Sequence, residues 1–186
     1  LQATKILRDE HEGILTMLAI VEAAADRVRD GKPVPSDLFS NAADFFSNFA
    51  DKCHHGKEEN RLFPTMVQYG VPNEGGPVGV MLAEHVHGRA LLRAMREAAE
   101  RYAGGDASVA SALAKTTLEY ANFLRTHIAK ENNMLFPMAD QLIPEAEQLA
   151  LAQFYDEFEA TVMGAGVHER YHAMIDEYKN LAASWH

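Results

Sequence analysis

Two stretches of the chain place a histidine four residues before a glutamate: His54-x-x-x-Glu58 and His127-x-x-x-Glu131. On a helix such side chains sit one turn apart, about 6 Å along the axis and on the same face. The imidazole can then bind one metal ion terminally while the carboxylate reaches across to a second. Two such turns provide two bridging carboxylates, Glu58 and Glu131. With His11 and His85 they make a shell of four histidines and two glutamates. Imidazole and carboxylate ligands without thiolate suit iron or manganese better than copper(I) or structural zinc. Buried carboxylates are costly unless paired or metal-bound, which gives the metal a structural role as well. For any single histidine an ordinary core or surface role is the better account; for the duplicated set it is the poorer one.

The set is duplicated because the sequence is. Residues 54–64 align without gaps on residues 127–137, ending Leu62-Phe63-Pro64 and Leu135-Phe136-Pro137, and Glu10-His11 matches Glu84-His85. The first half of a bundle therefore repeats in the second, and a site on the pseudo-two-fold axis receives one histidine from each odd helix and one His-x-x-x-Glu from each even helix. The elements that must position these residues are helices. Gly and Pro clusters at Asp30–Pro35, Gly70–Pro77, Gly104–Asp106 and Ile143-Pro144 separate five segments rich in Ala, Leu, Met and Glu,.

The first segment carries a 3-4 seam of Leu7, His11, Ile14, Leu18, Val21, Ala25 and Val28,. In the third the seam is Met81, His85, Gly88, Leu92, Met95, Ala99 and Tyr102; in the fourth it is Leu113, Thr117, Tyr120, Leu124, His127, Glu131, Met134 and Met138. The second is less regular: its stripe runs Phe39, Ala42, Phe46, Phe49, Ala50 and Cys53, leaving His54 at the edge. The Leu-Phe-Pro turns mark where the second and fourth helices bend or finish. This predicts an all-α, up-down four-helix bundle over residues 3–142 with an additional C-terminal helix over 146–184, the whole chain 1–186 forming a single domain. Ferritin-like bundles use Glu-x-x-His, the opposite order and a shorter spacing.

The balance of charge excludes some partners. A formal net charge of −10 without a basic run argues against nucleic acid and an anionic membrane surface,. No stretch approaches the roughly 20 apolar residues of a membrane span. The charged residues Lys5, Arg8, Asp9 and Glu10 leave no signal-like apolar region at the start, and the lone Cys53 fits a reducing, cytoplasmic compartment,. Cys53 reads as a buried inert thiol, and Tyr69, Tyr102 and Tyr120 as packing groups.

Over roughly residues 5 to 140 the chain resembles the hemerythrin family, in its bacterial HHE cation-binding branch. The resemblance is carried by Glu10-His11-Glu12, His54-His55-x-x-Glu58-Glu59-x-x-Leu62-Phe63-Pro64, Glu84-His85 and His127-x-x-x-Glu131. It implies a non-haem centre of two iron ions bridged by two carboxylates and an oxo or hydroxo oxygen. The function implied is binding of, or reaction with, dioxygen, peroxide or nitric oxide, as an oxygen or iron sensor, a store or an oxidoreductase. One departure matters. Oxygen-carrying members place a further histidine four residues after the first on the third helix; here that position is Arg89, which puts reversible oxygen carriage in doubt.

His55 and His168 are candidates for a further ligand. His55 lies about 100° from His54 on an α-helix, so the choice of His54/Glu58 over His55/Glu59 rests on the repeat alone, and His55 is either a ligand or an imidazole behind the ligands. His168 follows Met163-Gly164-Ala165-Gly166, where two glycines suggest a kink that lowers it onto the bundle's open end,. The candidate metal ligands are thus His11, His54, His55, Glu58, His85, His127, Glu131 and His168. His168-Glu169-x-x-His172 is also formally a zinc-peptidase signature, the alternative reading, although little chain follows it to supply a third ligand,.

Overall fold

The structure, a computed structural model, describes residues 3–164 and 166–185. Helices account for nearly all of them, and there is no strand among the described residues. Helix α1 (Ala3–Arg29) buries the expected seam from Leu7 through Val28. It ends at Gly31, whose φ of 70° lets the Lys32 N–H reach back to the Arg27 carbonyl at 2.8 Å,. α4 (Pro77–Ala103) starts with proline in its first turn and closes in the same way, Gly105 turning left-handed so that the Asp106 N–H bonds the Arg101 carbonyl,.

The two even rods are more complex. The second begins as α2 (Leu38–Phe45), becomes π-helical over Phe46–His55 and again over Glu58–Leu62, and ends as α3 (Phe63–Gln68). The fourth runs as α5 (Ala110–Lys130), a π-helical stretch Glu131–Leu135, and α6 (Phe136–Leu142). The π turns at 58–62 and 131–135 fall on equivalent residues of the repeat. The N–H groups of Phe63 and Phe136 reach five residues back, to the carbonyls of Glu58 and Glu131. The next residue in each rod is proline, which has no N–H and whose ring crowds the carbonyl four residues before it. A widened turn relieves that crowding and lets the rod continue. The Leu-Phe-Pro turns therefore do not finish these helices; they change their pitch.

That change corrects the fourth seam. Met134, expected inside, is 68% exposed, while Leu135 is buried at 2%. Beyond Glu131 the inward positions are Leu135, Phe136 and Ala139, matching Leu62, Phe63 and Met66 of the second rod. The remaining seam residues are buried, except that Tyr102 and Met138 are half-buried.

The four rods enclose two apolar cores with the histidines between them. One, at the Ala3 end of α1, gathers Leu7, Leu62, Phe63, Met81, Leu135 and Phe136; the other gathers Ile14, Leu18, Phe46, Leu92, Leu124 and their neighbours. Each such side chain contributes about 1.5–3 kcal/mol by leaving water. The C-terminal element is two helices rather than one. α7 (Glu145–Val162) and α8 (Val167–Ala183) are separated at Gly164 and Gly166, with φ of 78° and 79°; Ala165, within the expected kink, lies outside the described residues. α7 packs against the second rod where Gly56 leaves no Cβ to meet the Phe158 ring. α8 buries Tyr171, Ile175 and Tyr178, with Tyr171 edge-on to Phe45.

Candidate metal centre

His11, His54, His55, Glu58, His85, His127 and Glu131 are all buried at the level between the two cores. Their ligand atoms form two groups, each within 4.8 Å: His11, His54, Glu58 and Glu131 in one, His55, His85, His127 and Glu58 in the other. Each carboxylate turns one oxygen to each side. Glu58 has Oε1 3.7 Å from His54 Nε2 and Oε2 3.4 Å from His85 Nε2. Glu131 has Oε2 3.2 Å from His11 Nε2 and Oε1 3.0 Å from His127 Nε2.

The register question in the second rod is resolved by its π-helical turn. Phe46–His55 is wide enough per turn to hold both His54 and His55 inside, where an α-helix would push one outward,. Glu58 is inside with them. Glu59 lies outside and acts through His85, whose Nδ1 donates to its Oε1 at 2.7 Å. Arg89 grips the same Glu59 oxygen at 2.8 Å and Asp51 at 2.8 Å. The position that carries a further histidine in oxygen carriers thus holds a support for Glu59, while His55 brings a fifth imidazole to the cluster.

Every imidazole of the shell is oriented from behind. Nδ1 of His54 donates to Glu10 (2.7 Å), of His127 to Glu84 (2.9 Å), of His11 to the Asn132 side-chain oxygen (2.9 Å), and of His55 to Asp51 (3.3 Å). With a partner on each Nδ1, the Nε2 atoms point inward. The repeat extends to this layer: Lys57 holds Glu10 as Lys130 holds Glu84, and Asn132 occupies the place equivalent to Glu59. The Glu10 and Glu84 roles escaped the sequence reading. The signal was present in the paired Glu-His dipeptides, whose glutamates serve not the adjacent histidine but the one across the bundle.

Such a shell is unfavourable when it holds nothing. Nε2 of His11 and of His54 and all four oxygens of Glu58 and Glu131 are buried without a hydrogen bond. Nε2 of His85 and of His127 face each other at 3.1 Å, and two lone pairs at that distance require a proton or a cation between them. The electrostatics agree. Burial raises the pKa of Glu131, but the charge of His127 and the close approach of His11, His127 and His85 outweigh it and hold the group well below the ordinary carboxylate value. Burial opposes a charge on His85, yet Glu131, Glu58 and Glu59 push its pKa up to about 11. Burial, aided by His85, His54 and His127, holds His55 well below the ordinary value, so its ring is neutral. Hard carboxylates with imidazoles whose Nε2 protons a cation can displace fit iron, and the donor set as a whole could hold a cation in each group,.

His168 is not brought to this shell. It is half-buried on α8, its Nδ1 2.5 Å from Glu159 Oε1 and its Nε2 2.7 Å from that of His172. The two histidines of the zinc-peptidase signature do meet, but no third ligand is gathered around them among the described residues. No described helix is long and apolar enough to cross a membrane.

Comparison with known proteins bears on this centre. The profile of the Hemerythrin HHE cation binding domain matches residues 2–139. The uncharacterized protein Rv1995 of Mycobacterium tuberculosis is 23% identical over 183 residues, 98% of this chain and 69% of that one. The iron-sulfur cluster repair protein YtfE of Yersinia pseudotuberculosis is 31% identical over 135 residues, 70% of this chain and 60% of its own length. No solved structure matches the chain. With a helical bundle, a buried five-histidine, two-glutamate shell and a profile match across most of its length, the chain belongs to the hemerythrin HHE cation-binding family.

Proposed function

We propose that the chain holds two iron ions in this shell and uses them in redox chemistry on a small ligand: dioxygen, peroxide or nitric oxide. The observation that supports this reading above the others is the pair of carboxylates, Glu58 and Glu131, each with one oxygen toward each histidine group. His11 and His54 would hold one ion, and His55, His85 and His127 the other, with both glutamates shared. When bound, such a pair supplies one or two electrons to, or accepts them from, a ligand of a few atoms.

The chain's own residues do the rest. The partners on Nδ1 fix each ring and its tautomer, so the ligand atoms need no rearrangement. Apolar residues above and below the shell exclude water. A pocket of about 10 Å³, room for a single water-sized molecule, lies beside His55, His85 and His127 and is lined by Arg89, Leu92, Tyr120 and Phe123,. Its size favours a diatomic or peroxide over any organic substrate. Burial raises the Tyr120 pKa, so its hydroxyl keeps its proton and can offer a hydrogen bond to a ligand in that pocket, which favours a reactive role over simple storage. The YtfE likeness supports a second reading, in which the iron itself is handed on for iron-sulfur cluster repair.

The test is metal analysis with optical spectra of the protein exposed to air, to peroxide and to nitric oxide. Two irons per chain and ligand-dependent absorption are expected, with Tyr120→Phe slowing peroxide or nitric oxide turnover while iron content stays constant. One zinc per chain, or iron that neither responds to these ligands nor leaves for an acceptor, overturns both readings.

A further inference from the structure

A second set of metal-binding side chains lies outside the shell. His168 and His172 sit one turn apart on α8, with their rings stacked at 4.6 Å and their Nε2 atoms 2.7 Å apart. Nδ1 of His168 donates to Glu159 Oε1, so its Nε2 is an acceptor, paired in this structure with His172 Nε2, and a cation would replace the proton that the two share,. Glu159 is itself fixed, since its Oε2 takes a 2.6 Å bond from the buried ammonium of Lys57. The Phe49 edge meets the His168 ring at 5.6 Å and limits its rotation. This is the construction of the inner shell repeated on the outside: a carboxylate on Nδ1 and an Nε2 presented to the ion.

The pair opens on a cleft of about 340 Å³ between α1, α7 and α8, whose wall also carries Asp9 and Asp156. Several carboxylates in a partly enclosed space make the cleft attractive to cations. His172 is exposed and His168 half-buried, so an ion arrives from solvent without crossing the bundle.

The geometry points to a second cation site, in which Nε2 of His168 and Nε2 of His172 take one divalent transition-metal ion, with water completing its shell. Paired imidazoles select zinc, cobalt(II), nickel or copper(II) over magnesium or calcium. The site goes beyond the proposed function and does not depend on it, because its two histidines belong to neither inner group. It accounts for the His-Glu-x-x-His stretch as a binding element without a peptidase.

The test uses the protein as purified, with its inner metal content measured before and after calorimetric titration with cobalt(II). Wild type is expected to bind one ion beyond the inner complement. His172→Ala removes an exposed side chain and is expected to abolish that binding with the inner metal unchanged; Glu159→Gln is expected to weaken it about tenfold. No further uptake by wild type, or equal uptake by wild type and His172→Ala, overturns the proposal. The difference between those two proteins reads the outer pair whatever the inner shell holds, so failure of the inner reading shows separately, in the metal content.

Discussion

Glu10 accepts the Nδ1 proton of His54 at 2.7 Å, although it stands next to His11 in the chain and comes from another rod of the bundle. Its counterpart Glu84 does the same for His127 at 2.9 Å. Each odd helix thus contributes twice: its histidine points into the shell, and the residue before it orients a histidine of the next even helix. Burial would raise the pKa of both glutamates, but the His54 imidazole, backed by Lys57, lowers that of Glu10, and Lys130 with His127 lowers that of Glu84.

Glu84→Gln keeps the shape of this support and removes its charge. Metal affinity is expected to fall about 10–100-fold, read by competition with a chelator. Unchanged affinity would show that the His127 ring is held by packing alone.

The ionisation of the shell gives acid and alkaline limits. Glu10, Glu59, Glu84 and Glu131 are all held below the ordinary value of 4.5 in the folded chain. Their stabilisation is present above that pH and is lost as pH falls through the depressed values. His85 has the opposite sign: its contribution is full below the ordinary 6.5 and is lost as pH rises through about 11. His55, held well below its ordinary value, works against the folded state as pH falls under 6.5, because only the unfolded ring then takes a proton, so the metal-free protein is expected to be most stable near pH 6.5,. Metal uptake is expected to strengthen as pH rises, because His85 must lose its proton first. Thermal unfolding of chelator-treated protein across pH, alongside metal binding, checks both.

Leu135 and Met134 test the π-helical turn. Leu135→Ala removes a side chain 2% exposed and is expected to cost about 2–5 kcal/mol,. Met134→Ala, at a position 68% exposed, is expected to stay within about 0.5 kcal/mol,. Urea denaturation of both variants decides it; the reverse order would restore the uninterrupted α-helical seam.

Cys53 is expected to resist thiol reagents in the native protein at pH 8 and to react at once in denaturant. Burial pushes its pKa up to about 12, outweighing the nearby Lys57 charge, and the thiol is the unreactive form. Rapid labelling of the folded chain would refute this.

The sequence by itself determined the helices, most of their seams and the candidate inner residues, because each of these is local. A 3-4 apolar spacing records which face is buried, and a gapless repeat of His-x-x-x-Glu records which polar residues share that face. The same local patterns misplaced Met134 and left His54 and His55 undecided. Both errors assumed one pitch throughout, whereas the second rod is π-helical over Phe46–His55 and the proline after Phe136 widens the turn before it. Only the tertiary structure decided which residue supports which ring. The partners of His54, His85 and His127 come from other helices, and hydrogen bonds across a bundle leave no periodicity in the chain. It was also packing that separated His168 from the shell: the break at Gly164 and Gly166 directs α8 onto Phe45 and Phe49, and the depth at which that helix lies, not its spacing, sets what its histidines can reach.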